Sequence, residues 1–235
     1  MQAATGGYAR GMSRLDAQSS QSQNSDPHVS DSHEGEKQPR TERGRRTMRK
    51  LIDAAEVEFA ENGFHQASIV GITRRAGVAL GSFYTYFDTK EAIFRALVRD
   101  LGQQVKTTAR EAISTETKAM EIERAALAAF LRFARENKEI YRIIDESEFI
   151  DPAIYRDHYE TTAKRIFERL ERGMASGELR DDLSEVHAWA IMGMNVFLGL
   201  KFSLWSETDR SDEVAAAANL LMREGIAAPA SKDPE

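Results

Sequence analysis

Apolar residues recur every three or four positions through most of this chain, the spacing of helices that bury one face. Met48, Leu51, Ile52, Ala55 and Phe59 mark a first helix from about residue 41, which Asn62-Gly63 ends. A second, short helix starts at Ser68, whose hydroxyl can cap it, carries Ile69, Ile72 and Ala76 on one face, and stops where Gly77 can take a positive φ. A very short aromatic stretch follows, with Phe83, Tyr84, Tyr86 and Phe87. Asp88-Thr89-Lys90-Glu91 caps a long helix that runs to about residue 113. Further helices are predicted at Met120–Asn137, Glu139–Phe149, Pro152–Ser176, Ser184–Trp205 and Asp212–Glu224. No stretch alternates with period two over a useful length, so the predicted fold class is all-α.

Both ends lack this periodicity. Residues 1–40 are rich in Ser, Gln, Asp, His and Gly, with too little apolar surface to offset their ordering entropy, and read as a disordered tail. Residues 226–235 read as a second, flexible tail. Between them, residues 41–90 form one predicted domain and 91–225 another. The net charge of −6 is unevenly spread: residues 40–90 carry +3, residues 1–39 carry −2, and residues 91–235 carry −7. A basic module on an acidic body can still attract phosphate, because attraction needs a local basic face. The chain has no cysteine, which excludes disulfides and thiolate metal sites. Its N-terminus shows no charged-then-apolar signal pattern, so a cytoplasmic location is expected.

A helix, a glycine turn and a short second helix is the pattern of a helix-turn-helix, whose second helix enters the major groove. The run Gly-Val-Ala-Leu-Gly-Ser-Phe-Tyr-Thr-Tyr-Phe-Asp-Thr-Lys-Glu at 77–91 resembles the signature of TetR-type (TetR/AcrR) regulators, and the helix from Arg49 to Asn62 with Gly63-Phe64 fits as well. The specific resemblance covers roughly residues 43–95. It implies an N-terminal three-helix DNA-binding domain and a C-terminal helical domain for ligand binding and dimerisation. Relatives usually carry a small hydroxyl residue at the position of Ala79 and often a polar one at Leu80. Ala79 therefore cannot cap the recognition helix with its side chain, a loss of about 1 kcal/mol.

The DNA-contacting set follows from these positions and from the resemblance. Arg45 and Arg46 are candidates for phosphate. So are Ser68 and Lys90, at helix N-termini whose dipoles favour anions. In the family, residues matching Tyr84 and Tyr86 contact phosphates. Base readout is expected from Val70, Leu80, Ser82 and Thr85, with Val70 and Leu80 suited to thymine methyl groups, and Gly81 belongs to the same DNA-binding set. The resemblance further implies an effector cavity lined by Leu97, Leu101, Phe130, Phe133, Tyr141, Ile144, Tyr155, Tyr159, Ile166, Met192, Asn195 and Val196. Ordinary core packing is the alternative for each of them.

The nearly all-apolar 184–205 helix is too interrupted by His187, Asn195 and Lys201 to read as a membrane span. It reads either as a homodimer interface or as an internal core helix. In the first case Trp189, Phe197, Leu198, Phe202 and Trp205 form the interface, and Val214, Ala217, Ala218 and Leu221 complete a four-helix bundle across the two-fold. There is no Gly-rich phosphate loop and no Gly-x-Ser-x-Gly elbow, the five histidines have no metal-ligand spacing, and no enzyme, metal or cofactor is expected. The expected function is a DNA-binding transcriptional regulator: a homodimeric repressor released from a palindromic operator by a small hydrophobic effector, such as a fatty acyl thioester or a lipophilic drug. The alternatives are a ligand-independent or partner-controlled DNA-binding protein and a helical enzyme using the body pocket.

Overall fold

The computed structural model describes residues 35–224. The predicted C-terminal tail lies outside them, as does most of the predicted N-terminal tail. Among the described residues the regular structure is helical: α1 (Glu42–Gln66), α2 (Ile69–Ala76), α3 (Leu80–Tyr84), α4 (Lys90–Ala112), α5 (Ala119–Glu136), α6 (Glu139–Ile150), α7 (Pro152–Ala175), α8 (Glu185–Gly199) and α9 (Ser211–Glu224), with a π-helical turn at Leu200–Leu204 after α8. The caps explain most boundaries. The side chains of Thr41, Ser68, Thr89 and Asp151 accept hydrogen bonds from backbone N–H groups in the first turns of α1, α2, α4 and α7. Ser184 and His187 form a capping box on α8. The backbone of α1 breaks at Gly63, where the sequence ends the helix, and one further turn carries Phe64 back into the core.

The main core runs without a break from α1, α2 and α3 into the later helices. Leu51, Ile52, Phe59, Ile72, Phe83 and Phe87 pack with Ile93, Phe94, Leu97 and Leu101 of α4, and these with Ile140, Ile143 and Ile144 of α6. Phe59, Phe64 and Phe94 meet with ring centroids 5.1–5.7 Å apart. Polar bonds join the same helices: Arg142 of α6 donates to the carbonyl of Ala60 (2.6 Å), and Glu146 accepts from the N–H of Phe64 (3.1 Å). The expected boundary at residue 90 is thus a change of role along the chain, and the packing continues across it.

Residues 35–40, expected in the tail, are placed against the fold. Glu36 forms an antiparallel bridge with Phe87; the N–H of Lys37 donates to Tyr86 O (2.8 Å) and that of Asp88 to Gly35 O (2.9 Å). Glu36 is buried in an ion pair with Arg99 of α4, and Lys37 pairs with Asp88. Composition alone missed this strap because its anchors are two charged side chains, which a hydropathy reading scores as solvent-facing.

Part of the expected dimer set packs within the single chain. Val214 and Ala218 are buried against Leu127, Ala128 and Leu131 of α5, with Leu198 and Phe202 partly buried on the same cluster. These four belong to the internal core of a single chain. Trp189, Phe197, Trp205, Ala217 and Leu221 remain exposed. The helix predicted to run to Trp205 instead changes at Leu200 to the π-helical turn, from which the buried Ser203 hydroxyl donates to Leu131 O (2.8 Å).

Gly199, at this change, abuts Tyr141 and Phe130. A Cβ here would collide with the Tyr141 hydroxyl and lie 3.0 Å from the Phe130 ring. Gly199→Ala should therefore lower the melting temperature: overpacking costs about 1–3 kcal/mol, more than the roughly 1 kcal/mol alanine gains in helix propensity. Thermal unfolding followed by circular dichroism checks this, and a raised midpoint would mean that Tyr141 yields at no cost.

Candidate DNA interface and effector cavity

The reading face is built by a turn that only a glycine takes without strain. Gly77 stands at φ 65, ψ 36, and around it the N–H of Gly77 donates to Arg74 O and that of Val78 to Thr73 O (3.1 Å). This reverses the chain into α3, whose cap position, Ala79, supplies no side-chain bond, as its identity requires. Phe83 and Phe87 are fully buried and hold α3 from beneath. Its outer side presents Leu80 (46% exposed), Gly81, Tyr84 and Thr85, while Ser82 is half-buried. Val70 on α2 is 63% exposed. Ser68 spends its hydroxyl oxygen on the N–H of Gly71 (2.9 Å). Arg45 and Arg46 are exposed and both lean on Glu42 (2.8 and 3.3 Å).

Two of the expected phosphate contacts differ from expectation. Lys90, expected at phosphate, turns its ammonium back and donates to the carbonyls of Phe64 (2.7 Å), His65 (3.3 Å) and Ala67 (3.0 Å), 4.5 Å from the Phe64 ring centre. All three of its donors are committed to the C-terminal end of α1, where the helix dipole favours a cation. Tyr86 is half-buried on the core, its hydroxyl close to Gly44. Arg75, whose charge and helix position suggest a solvated residue, donates to the buried Glu58 (2.6 Å) and also pairs with Glu61, tying α2 to α1.

The body holds a cavity with about 930 Å³ of empty space out to its mouth, walled by α4 to α8. Of the predicted lining residues, Phe130, Tyr141, Ile144, Tyr159, Ile166, Met192, Asn195 and Val196 line it. Leu97, Leu101 and Phe133 are instead buried in the main core, and Tyr155 packs edge-on against Tyr159 (4.9 Å) outside the lining set. On α4 the wall is formed by Val105, Lys106 and Ala109, about two turns further along than expected. The missed residues include the polar ones: Asp145, His158, Thr162, Arg165 and Arg169. No sequence signal separated them from surface charges on amphipathic helices.

The polar groups are unequal. Burial pushes the phenols of Tyr141 and Tyr159 up, so both stay neutral, and Tyr141 donates to Val196 O (2.8 Å). Burial, with Arg165 nearby, pulls His158 down to about 4, leaving a neutral imidazole near neutral pH. Burial, then Glu148, raises Asp145. Arg169 is neutralised by two bonds to the buried Glu123 (2.5 and 2.8 Å). The carbonyl oxygen of Asn195 is buried without a hydrogen-bond partner, an acceptor that a ligand donor could satisfy.

Lys90→Ala should cost about 1–3 kcal/mol of stability by freeing three carbonyls, a fall of several degrees at roughly 2–4 °C per kcal/mol. The salt dependence of DNA binding should keep its slope. A slope lower by one, with an unchanged melting temperature, would return Lys90 to the phosphate backbone.

Residues 51–97 match the model of the bacterial regulatory proteins of the tetR family. The HTH-type transcriptional regulator YdgC of Bacillus subtilis is 29% identical over 186 residues, 77% of this chain and 93% of that protein. The HTH-type transcriptional activator FasR of Mycolicibacterium smegmatis is 32% identical over 124 residues, 49% of this chain and 56% of that protein. In fold the chain is similar to the transcriptional regulator FadR of B. subtilis in complex with stearoyl-CoA, with a TM-score of 0.66 and 22% identity over 76% of this chain and 99% of that one. It is likewise similar to the fatty acid degradation regulator FadR of Bacillus halodurans, with a TM-score of 0.65 and 20% identity over 74% and 93%. Among the described residues no helix is long and apolar enough to cross a membrane. The glycine turn, the buried Phe83–Phe87 pair and these matches agree: residues 51–97 form a module similar to the DNA-binding domain of the tetR family of bacterial regulatory proteins, and the relatives that the chain resembles are transcriptional regulators.

Proposed function

We propose that the chain is a cytoplasmic repressor that binds a palindromic operator as a homodimer and is released by a small hydrophobic effector. One observation carries the reading: α4 belongs to both sites. Its N-terminal residues Ile93 and Phe94 are packed under the reading face, and Val105, Lys106 and Ala109 line the cavity. At 1.5 Å per residue its 23 residues reach about 34 Å, a rigid lever between the two. An effector that binds better when α4 is tilted shifts the population toward states whose recognition helices no longer match one-turn spacing on DNA. The stearoyl-CoA held by a structural neighbour supports an apolar, acyl-type effector here. The DNA upstream of the protein's own gene tests the reading. It should be shifted in a gel by the purified protein and released by the effector; binding that no ligand reverses would favour the partner-controlled alternative.

The contacts within the proposed interface follow from exposure. Tyr84 has a free outer side and supplies a hydroxyl for phosphate, so Tyr84→Phe should weaken binding about equally on all sequences. Leu80 and Val70 offer only apolar contact, to thymine methyl groups. Replacing one thymine per half-site by uracil should cost toward the low end of roughly 1–3 kcal/mol, and Leu80→Ala should erase part of that preference. A uracil scan of the operator checks it; indifference at every position would leave Leu80 a structural residue.

Dimerisation is proposed through the faces of α8 and α9 that the single chain leaves open. Val186, Trp189, Phe197, Trp205, Leu220 and Leu221 are exposed, more apolar area than a solvent face carries. Phe197 is 70% exposed, so Phe197→Glu removes nothing from the internal core. It should yield a folded monomer that no longer binds operator. Sedimentation velocity measures this, and a wild-type monomer at micromolar concentration would end the dimer proposal.

A further inference from the structure

We infer that the effector is an amphiphile bearing one acidic group, and that Arg165 of α7 is the residue that binds that group. The inference rests on the proposed effector role of the cavity and adds the chemistry of its ligand. Arg165 stands in the wall between the main cavity and a second recess between α4 and α7. His158 and Thr162 share that wall. The guanidinium is half-buried, yet it makes no ion pair with any described residue. Its one hydrogen bond is long, 3.4 Å to the carbonyl of Gly102. Of five N–H donors, four are left for a ligand.

Two of the neighbouring cations are already spoken for. Arg169 is held by both oxygens of Glu123, and Arg99, in the recess, is paired with Glu36. Lys106 stands exposed on α4. Burial draws the Arg165 pKa down, with Glu168 and Asp157 only partly opposing, which is the behaviour of a charge removed from water without full compensation. His158 is neutral and does not compete for an anion. An acidic group placed here gains charge-assisted, bidentate bonds in a low-dielectric wall. The rest of the cavity sets the rest of the molecule: Phe130, Ile144, Ile166, Met192 and Val196 offer an apolar sleeve. The ligand class is therefore an aliphatic or aromatic body ending in an anion. The anion is either the carboxylate of a free long-chain acid or a phosphate of an acyl thioester reaching the recess.

Calorimetric titration of the full chain with palmitate, methyl palmitate and the coenzyme A thioester of palmitate tests this. The acid, the thioester or both should bind the wild type more tightly than the neutral methyl ester. Tighter thioester binding assigns Arg165 to phosphate, tighter acid binding to carboxylate. Arg165→Ala should weaken the anionic ligand roughly 10- to 100-fold, and the ester far less. Arg165→Lys should keep part of the affinity, since it restores charge without the planar fork. Should the alanine variant fail to fold, Arg165→Gln carries the same comparison. Equal wild-type affinities for acid, thioester and ester overturn the inference while leaving the cavity's effector role intact, as does an anion affinity unmoved by Arg165→Ala. Binding of none of the three overturns that role together with the inference.

Discussion

A helix of five residues has no stability of its own, because forming its first turn fixes more dihedral angles than its hydrogen bonds repay. The proposed recognition helix α3 is such a helix, and the N-terminal half of the fold is organised around holding it. Phe83 and Phe87 anchor it in the core, the left-handed Gly77 sets its angle of entry, and the strap at Glu36–Lys37 pairs with the backbone just beyond it. Lys90 then locks the start of α4 to the end of α1. Each clamp acts on the backbone or the inner face, which leaves the outer side chains of α3 free of any part in holding the helix.

Several of these clamps are legible in the sequence, and the reason is local. Ser68, Gly77 and Thr89 act within three residues of themselves, so their roles follow from spacing. The roles that sequence reasoning misses depend on partners far along the chain. A place at a helix N-terminus points Lys90 to phosphate, but its four-carbon stem reaches carbonyls some two dozen residues earlier. Arg75 finds Glu58 across α1, and Glu36 finds Arg99 at a separation of 63 residues. Charged side chains give a hydropathy pattern no hint of which partner they will meet.

The cavity shows the same limit in another form. Eight of its lining residues are identifiable because aromatic and aliphatic stripes face inward whatever they enclose. Leu97 and Leu101 lie on the same face of α4 as Val105 and Ala109, and periodicity cannot say which turn of a buried stripe meets a neighbour and which meets empty space. The polar lining is invisible for the opposite reason. His158, Thr162 and Arg165 look like the wet side of α7 until α4 is laid across them.

The π-helical turn after α8 bears on how this chain tolerates change in length. Such a turn holds one residue more than a regular one. Here it carries Ser203 inward to Leu131 and sets the direction of Trp205. Losing one residue between Leu200 and Leu204 would relax the turn to ordinary α-helix and leave the residues beyond it facing much as before, whereas losing one inside α8 would rotate them by about 100°. A deletion at the turn would thus be absorbed, while the same loss a turn earlier would re-aim the end of the exposed apolar face. The turn is therefore the place along this segment where a one-residue change in length would disturb the exposed apolar face least.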